Sequence, residues 1–176
     1  MEIIIAGFGG QGIMLTGYIL GKAAAIYEGK EALFHESYGP EARGSSCKAG
    51  VIISDERIDY PIVENADVLV VLSRGGYASN ADLLREGSYI LYDTSLVPGV
   101  RWDRAYGINA TEIAEELQNR IVANIVILGF FTSVCDVLKK ESVKKAIEST
   151  VSKKFLDLNL RAFEEGYRRG LQIDRL

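Results

Sequence analysis

Histidine and cysteine are nearly missing from this chain of 176 residues: it has one histidine, His35, and two cysteines, Cys47 and Cys135. Two distant cysteines and a lone histidine cannot supply a four-ligand zinc site or hold an iron–sulfur cluster in its usual cysteine pattern. They are also too few for a disulfide scaffold. No positively charged leader precedes an apolar segment, and the first strand is expected to start at Glu2, so a reducing cytoplasm is expected rather than secretion. The longest mostly apolar run, Ile121 to Val134, is broken by Asn124, Gly129, Thr132 and Ser133. It falls short of the roughly 20 residues that span a bilayer, so a buried helix is expected there and no membrane partner. A net charge of −4, with no basic cluster interleaved with aromatics, gives no general attraction to phosphate backbones, and no nucleic-acid partner is expected.

What remains is the composition of a globular domain, 48% apolar and 25% charged, with the length for one core. Glu2 to Ala6 is a β-branched run that reads as a strand buried on both faces of a parallel sheet. A helix is expected from Gly12 to about Tyr27, with Gly17 and Gly21 on one face and Gly29 as its stop signal. Glu31 to Ser37 and Cys47 to Ser54 read as strands, with a short hairpin to Ile58–Tyr60 before Pro61. Asp67 to Leu72 is the clearest interior strand. A helix around Ala78 to Arg85 follows, then strands at Tyr89–Tyr92 and Ala105–Ile108. Asn109 and Glu112 have the spacing of a capping box for a helix over 110–119. No strand is expected after Ile108. Val143, Ala146, Ile147, Thr150 and Val151 recur with helical period, and Leu156, Leu160, Phe163 and Tyr167 line one face of a last helix. Strands alternating with helices, then helices alone, predict an α/β fold. It is expected to be a Rossmann-like, open, mostly parallel sheet with a helical C-terminal third from about residue 110, all in one domain over 1–176.

Glycine is the abundant residue, and seven of its 18 positions fall in the first thirty residues, which makes their arrangement the main chemical signal. Gly7-Phe8-Gly9-Gly10-Gln11-Gly12 matches G-x-G-x-x-G after an expected strand and at the mouth of an expected helix. Without Cβ atoms the backbone can turn tightly and bring its N–H groups to an anionic group, and the helix N-terminus adds partial positive charge. Close packing of helix on strand would use glycines in the same way. The nucleotide fingerprint also asks for an acidic residue about 20 positions on, at the end of the second strand. Glu36 lies near that point, but a long polar loop follows it where a dinucleotide domain would continue into a crossover helix.

That loop, Ser37-Tyr38-Gly39-Pro40-Glu41-Ala42-Arg43-Gly44, together with Phe8-Gly9-Gly10-Gln11-Gly12, resembles the gamma subunit of 2-oxoacid:ferredoxin oxidoreductases. Asn119-Arg120-Ile121-Val122-Ala123-Asn124, running into Leu128-Gly129, and Leu158-Asn159-Leu160-Arg161-Ala162-Phe163 resemble that family too, so the likeness covers essentially the whole chain. The form of the Ser37–Gly44 loop is most similar to the 2-oxoglutarate type. It departs at Ser45 and Ser46, where a further small residue such as glycine is common. The resemblance implies a subunit of an enzyme that oxidatively decarboxylates a 2-oxoacid, passes electrons to ferredoxin and transfers the acyl group to coenzyme A. It implies alpha, beta and delta subunits as partners. Thiamine diphosphate with its magnesium would be held by the alpha and beta subunits and iron–sulfur clusters by a beta or delta subunit. The composition agrees, since hard chemistry then comes from cofactors bound elsewhere.

The residues proposed to meet a ligand are Gly7 to Gly12, then Ser37, Tyr38, Gly39, Glu41, Arg43 and Gly44, which together would shape coenzyme A access at a subunit junction. Arg43 can bind a carboxylate or phosphate through two parallel hydrogen bonds, or pair with Glu41 or Glu36. Ser73, at the carboxyl end of the central strand, is a second lip of the site or an ordinary helix cap. Asn124, a polar amide in an apolar helix, must be hydrogen-bonded or face a ligand or partner. His35 is given no catalytic role, and no catalytic side chain is expected. Cys47 and Cys135 read as small buried hydrophobes. A stand-alone NAD- or flavin-binding oxidoreductase and a ligand-binding regulatory module are the competing readings.

Overall fold

The computed structural model describes residues 1–38 and 46–173. Six strands form one sheet in the order β2-β3-β1-β4-β5-β6. They are β1 (Glu2–Phe8), β2 (Glu31–Tyr38), β3 (Ser46–Ser54), β4 (Ala66–Val71), β5 (Leu84–Asp93) and β6 (Ala105–Ile108). The run β1-β4-β5-β6 is parallel, whereas β3 is antiparallel to both β1 and β2. The sheet is therefore mixed, and the reason is connection length. The seven residues between Tyr38 and Ser46 cannot carry the crossover that a parallel pair requires, so β2 and β3 return on each other as an antiparallel pair.

Alternation along the strands sorts the apolar side chains into two layers. Ile3, Ile5, Val51, Val68 and Val70 face helices α1 (Ile13–Lys22), α3 (Ala110–Glu116), α4 (Ala123–Cys135), α5 (Lys140–Glu148) and α6 (Leu156–Gly170). Ile4, Ala6, Ile52, Leu69, Val71 and Ile90 face the other way, toward Tyr77 of α2 (Arg74–Asn80), Val97 and Trp102. Both faces of β1 are thus covered, as its unbroken β-branched run requires. Helix α4 is buried over Ala123–Ser133. It crosses α6 where neither has a side chain in the way: a Cβ on Gly129 would collide with the Phe163 carbonyl oxygen, and one on Gly166 with that of Val126. Among the described residues no helix is long and apolar enough to cross a membrane.

Several local expectations change. No strand forms over 55–65, because both edges of β3 are already taken by β1 and β2. Helix α2 starts at Arg74 rather than near Ala78, since the Ser73 hydroxyl accepts from the Gly76 N–H at 2.9 Å and opens the helix there. The helix expected over 110–119 stops at Glu116, and Gln118 is left-handed (φ 63°). Asn109 makes no side-chain cap. Its amide instead donates to Glu112, and the Thr111 N–H is met by the buried carboxylate of Asp93, at 2.9 Å. Helix α1 continues as a π-helical turn over Ala23–Tyr27.

His35 faces Gly50 across the β2–β3 pair, and a Cβ on Gly50 would run into its imidazole. Its Nε2 accepts from the Val63 N–H at 3.4 Å, which ties the 55–65 stretch to the sheet. Burial first, and then the charge of Lys48, hold the imidazole below the ordinary histidine value of 6.5. On acidification the unfolded chain therefore takes up this proton first. The contribution of neutral His35 to stability is complete above 6.5 and is lost as pH falls through that value toward the folded-state pKa. Thermal midpoints measured between about pH 7.5 and 5.5 are expected to fall more steeply for the native chain than for His35→Gln. Parallel slopes would show that folding leaves the His35 pKa where it is in the unfolded chain.

Candidate functional site

Strands β1, β4, β5 and β6 all end at one edge of the sheet, the carboxyl edge where open α/β sheets place their ligands. The pairing register brings β3 and β2 to the same edge, because Phe8 is opposite Ser46 and Cys47 opposite Tyr38. Both ends of the 39–45 connection therefore stand beside the glycine loop, although the two motifs lie far apart in the chain. Gly39, Pro40, Glu41, Ala42, Arg43 and Gly44 themselves lie outside the described residues. Ser37 is exposed near the end of β2.

Gln11 holds the glycine loop with both ends of its amide. Its Oε1 accepts from the Phe8 N–H at 2.7 Å, and its Nε2 donates to the Leu72 carbonyl at 2.8 Å. The loop is thereby tied to the end of β4. Gly7 is required because a Cβ there would meet Gln11 Oε1 and the Ile13 side chain. Gly12 is required twice over: its φ is 72°, and a Cβ would collide with the Asn124 amide. The Gly12 carbonyl accepts from the Thr16 N–H and hydroxyl, both at 3.0 Å, and from Asn124 Nδ2 at 3.2 Å. Asn124 Nδ2 also lies 3.3 Å from Thr16 Oγ1. This amide, buried in α4, is thus committed to the fold and positions the loop. Ser73 is buried as the α2 cap already described.

The tip of the loop differs from its base. Phe8, Gly9 and Gly10 are exposed, and Gly10 needs its missing side chain for φ 92°. Gly9 has no such need within the chain, since among the described residues nothing lies within 4 Å of a Cβ built there. The first turn of α1 also receives no side-chain cap at Gly12. Its outward amides are the local source of positive potential.

Two cavities flank the tip, and Ile121, which is 75% exposed, lines both. One, of about 210 Å³, runs from Gly10 and Gln11 to Thr111 and Arg120. The other, of about 300 Å³, runs from Gly10 and Gly12 past Asn124 to Val151, Phe155 and Leu158. Three residues that sequence reasoning passed over belong here. Asp93 is fully buried and accepts from the Thr111 hydroxyl and N–H and the Ser95 N–H. It fixes Thr111 in the wall of the first cavity. Ile121 opens an apolar run that reads as buried and Phe155 stands just before the last helix, and only their exposure distinguishes them. No group of three or more metal-capable side chains occurs among the described residues. Cys47 is buried in β3, which pushes its thiol up from the ordinary value, so it stays protonated and unreactive.

Residues 2–169 match the family described as pyruvate ferredoxin/flavodoxin oxidoreductase. The chain is 48% identical over 171 residues to the 2-oxoglutarate synthase subunit KorC of Methanocaldococcus jannaschii, covering 94% of this chain and 91% of that protein. It is 38% identical to the ketoisovalerate oxidoreductase subunit VorA of Methanothermobacter marburgensis, covering 94% of this chain but 36% of that longer protein. The crystal structure of a keto/oxoacid ferredoxin oxidoreductase gamma subunit from Geobacter sulfurreducens superposes with a TM-score of 0.87 at 37% identity, covering 98% of this chain and 99% of that one.

The close contact of Gly12 with Asn124 makes a coupled prediction. Gly12→Ala is expected to cost at least about 2 kcal/mol, combining a left-handed residue with a buried collision. Asn124→Ala alone should cost about 1 kcal/mol through lost hydrogen bonds. The double variant is expected to be more stable than the sum of the two, because removing the amide relieves the collision and leaves the backbone strain. Denaturant melts of the four proteins measure this coupling, and strict additivity would show that the two residues do not meet.

Proposed function

The chain belongs to the pyruvate ferredoxin/flavodoxin oxidoreductase family, and on that footing we propose that it is the gamma-type subunit of a 2-oxoglutarate:ferredoxin oxidoreductase. Its task in that enzyme is to complete the active-site cleft and bind part of coenzyme A. The choice of 2-oxoglutarate rests on the 48% identity to KorC. The assignment of a ligand to this edge rests on Gly9, an exposed glycine whose missing side chain no described residue explains. A backbone that must be approached closely from outside accounts for it.

In this reading Gln11 and Asn124 hold the loop rigid, and Gly9 and Gly10 offer it without obstruction. The uncapped first turn of α1 adds favourable potential for a diphosphate. Ser37, Tyr38, Gly39, Glu41, Arg43 and Gly44 would shape coenzyme A access together with that loop, with Arg43 as the anion contact. Ser73 supports the lip by starting α2. Thiamine diphosphate and iron–sulfur clusters, held by partner subunits, would supply decarboxylation and electron transfer to ferredoxin when bound. The chain's own residues position coenzyme A for acyl transfer and keep water from the reacting carbonyl. Residues 1–176 would act as one domain, in the reducing cytoplasm that two free cysteines suit.

Sheet topology weighs against a stand-alone NAD enzyme. Glu36 is on the edge strand, and β3 separates it from β1, placing the two backbones about 10 Å apart. In a dinucleotide fold the acidic residue ends the strand next to the glycine loop.

The test is reconstitution. The purified chain alone should show no 2-oxoglutarate oxidation, and the mixture with its companion subunits should show coenzyme A-dependent reduction of ferredoxin. Tight binding of NAD or a flavin by the chain alone, or a lone monomer in extracts of the native cell, would favour the stand-alone reading. Within the assembled enzyme, Arg43→Ala is expected to raise the KM for coenzyme A by about tenfold, the loss of one charged contact. An unchanged KM and turnover would remove Arg43 from the site.

A further inference from the structure

The side of the glycine loop that carries α1 and the turn before α6 has an unusual surface. Ile121 is 75% exposed, Tyr18 47%, Phe155 45% and Leu15 37%. They are neighbours: Leu15, Ile121 and Phe155 line the same 300 Å³ cavity, and Tyr18 stands one turn after Leu15 on α1. Single exposed apolar residues are ordinary, but a contiguous group beside a candidate site marks an interaction surface. Cations rim it. Lys153 and Lys154 precede Phe155, with Lys154 over its ring at 5.3 Å, and Lys22 lies 5.7 Å from the Tyr18 ring centre. Arg120 is balanced by Glu115 at 3.8 Å, and Glu116 and Asp157 are the further carboxylates close in sequence, leaving the three lysines in excess. The rim is thus positive on a chain whose net charge is −4.

The occupant is indicated by how relatives carry this domain. The match covers nearly all of KorC but about a third of VorA. The same domain therefore serves both as a separate chain and as a piece of a longer one. What a covalent link holds in place in the longer chain, surface contacts must hold when the domain is separate. From these observations we infer that the Leu15–Tyr18–Ile121–Phe155 face is the docking surface for another subunit of the same oxidoreductase, one presenting an apolar patch edged with carboxylates. The inference rests on the subunit reading above and adds the face by which the chain is held. Ile121, which lines both cavities, is its most exposed member. Docking there covers both cavity mouths and leaves the loop tip at the junction, so assembly and site closure become one event. The lysine rim speeds encounter and makes it salt-dependent.

Ile121→Asp and Phe155→Asp test the inference, measured as affinity for the companion subunits by biolayer interferometry, with circular dichroism of each variant. Both side chains are exposed, so the fold should be retained, and the milder Ile121→Ala serves if an aspartate variant does not fold. Tyr60→Asp is the control, since Tyr60 is 54% exposed at the opposite edge of the sheet, beside the starts of β1 and β4. The expected result is a loss of affinity of about tenfold or more for Ile121→Asp and Phe155→Asp, with Tyr60→Asp unchanged. Raised salt should slow association of the native chain. Native affinity in both face variants, or loss only in Tyr60→Asp, overturns the inference and leaves the subunit reading intact. Loss of a homodimer with unchanged subunit binding overturns it as well, by assigning the face to a second copy of this chain. Failure of the native chain to bind any companion subunit instead overturns the functional reading beneath it.

Discussion

The carbonyl oxygen of Gly12 is where the parts of this protein meet. It accepts from the backbone and hydroxyl of Thr16 in α1 and from the Asn124 amide of α4, so one backbone atom joins the glycine loop, the helix it opens and the helix buried behind it. A buried amide left without a partner costs free energy comparable to a lost hydrogen bond or more, which is why α4 cannot rotate without disturbing the loop. Helix α4 is itself placed by contact with α6, where Gly129 and Gly166 let the two backbones approach. The C-terminal helices are therefore part of the scaffold that aims the glycine loop.

The loop is rigid at its base and open at its tip for reasons that can be separated residue by residue. Gly7 and Gly12 are explained by neighbours inside the chain, Gly10 by its backbone angle, and Gly9 by neither. A sequence motif of four glycines thus contains different constraints, and only one of them points outward. This division also explains why the same G-x-G-x-x-G spacing serves here without the rest of a dinucleotide site. The tight turn is a packing device first, and Glu36 lies on an edge strand with β3 between it and β1, not on the strand next to the glycine loop.

Much of the architecture could be read from residue order. Ile3, Ile4 and Ile5 announce a strand covered on both faces, and strands up to Ile108 followed by helices are what the chain adopts, although helices join only β1 to β2 and β4 to β5. Side-chain competition was harder to read. Asn109 and Glu112 have capping spacing, but Asp93 reaches the Thr111 amide from another strand. Likewise no local pattern showed that the Asn124 amide donates to Gly12 and Thr16 while the residue lines the 300 Å³ cavity.

The sequence alone determined the α/β class, the glycine turn, a buried helix within the Ile121–Val134 run and the poverty of histidine and cysteine. Each follows from local periodicity, backbone sterics or composition. Only the tertiary structure decided that β3 inserts between β2 and β1, that Ser37 and Ser46 come to the edge that carries the glycine loop, and that Ile121 and Phe155 stay on the surface. Those facts depend on strand pairing and helix contact between residues far apart in the chain, where no local preference of a residue chooses its partner.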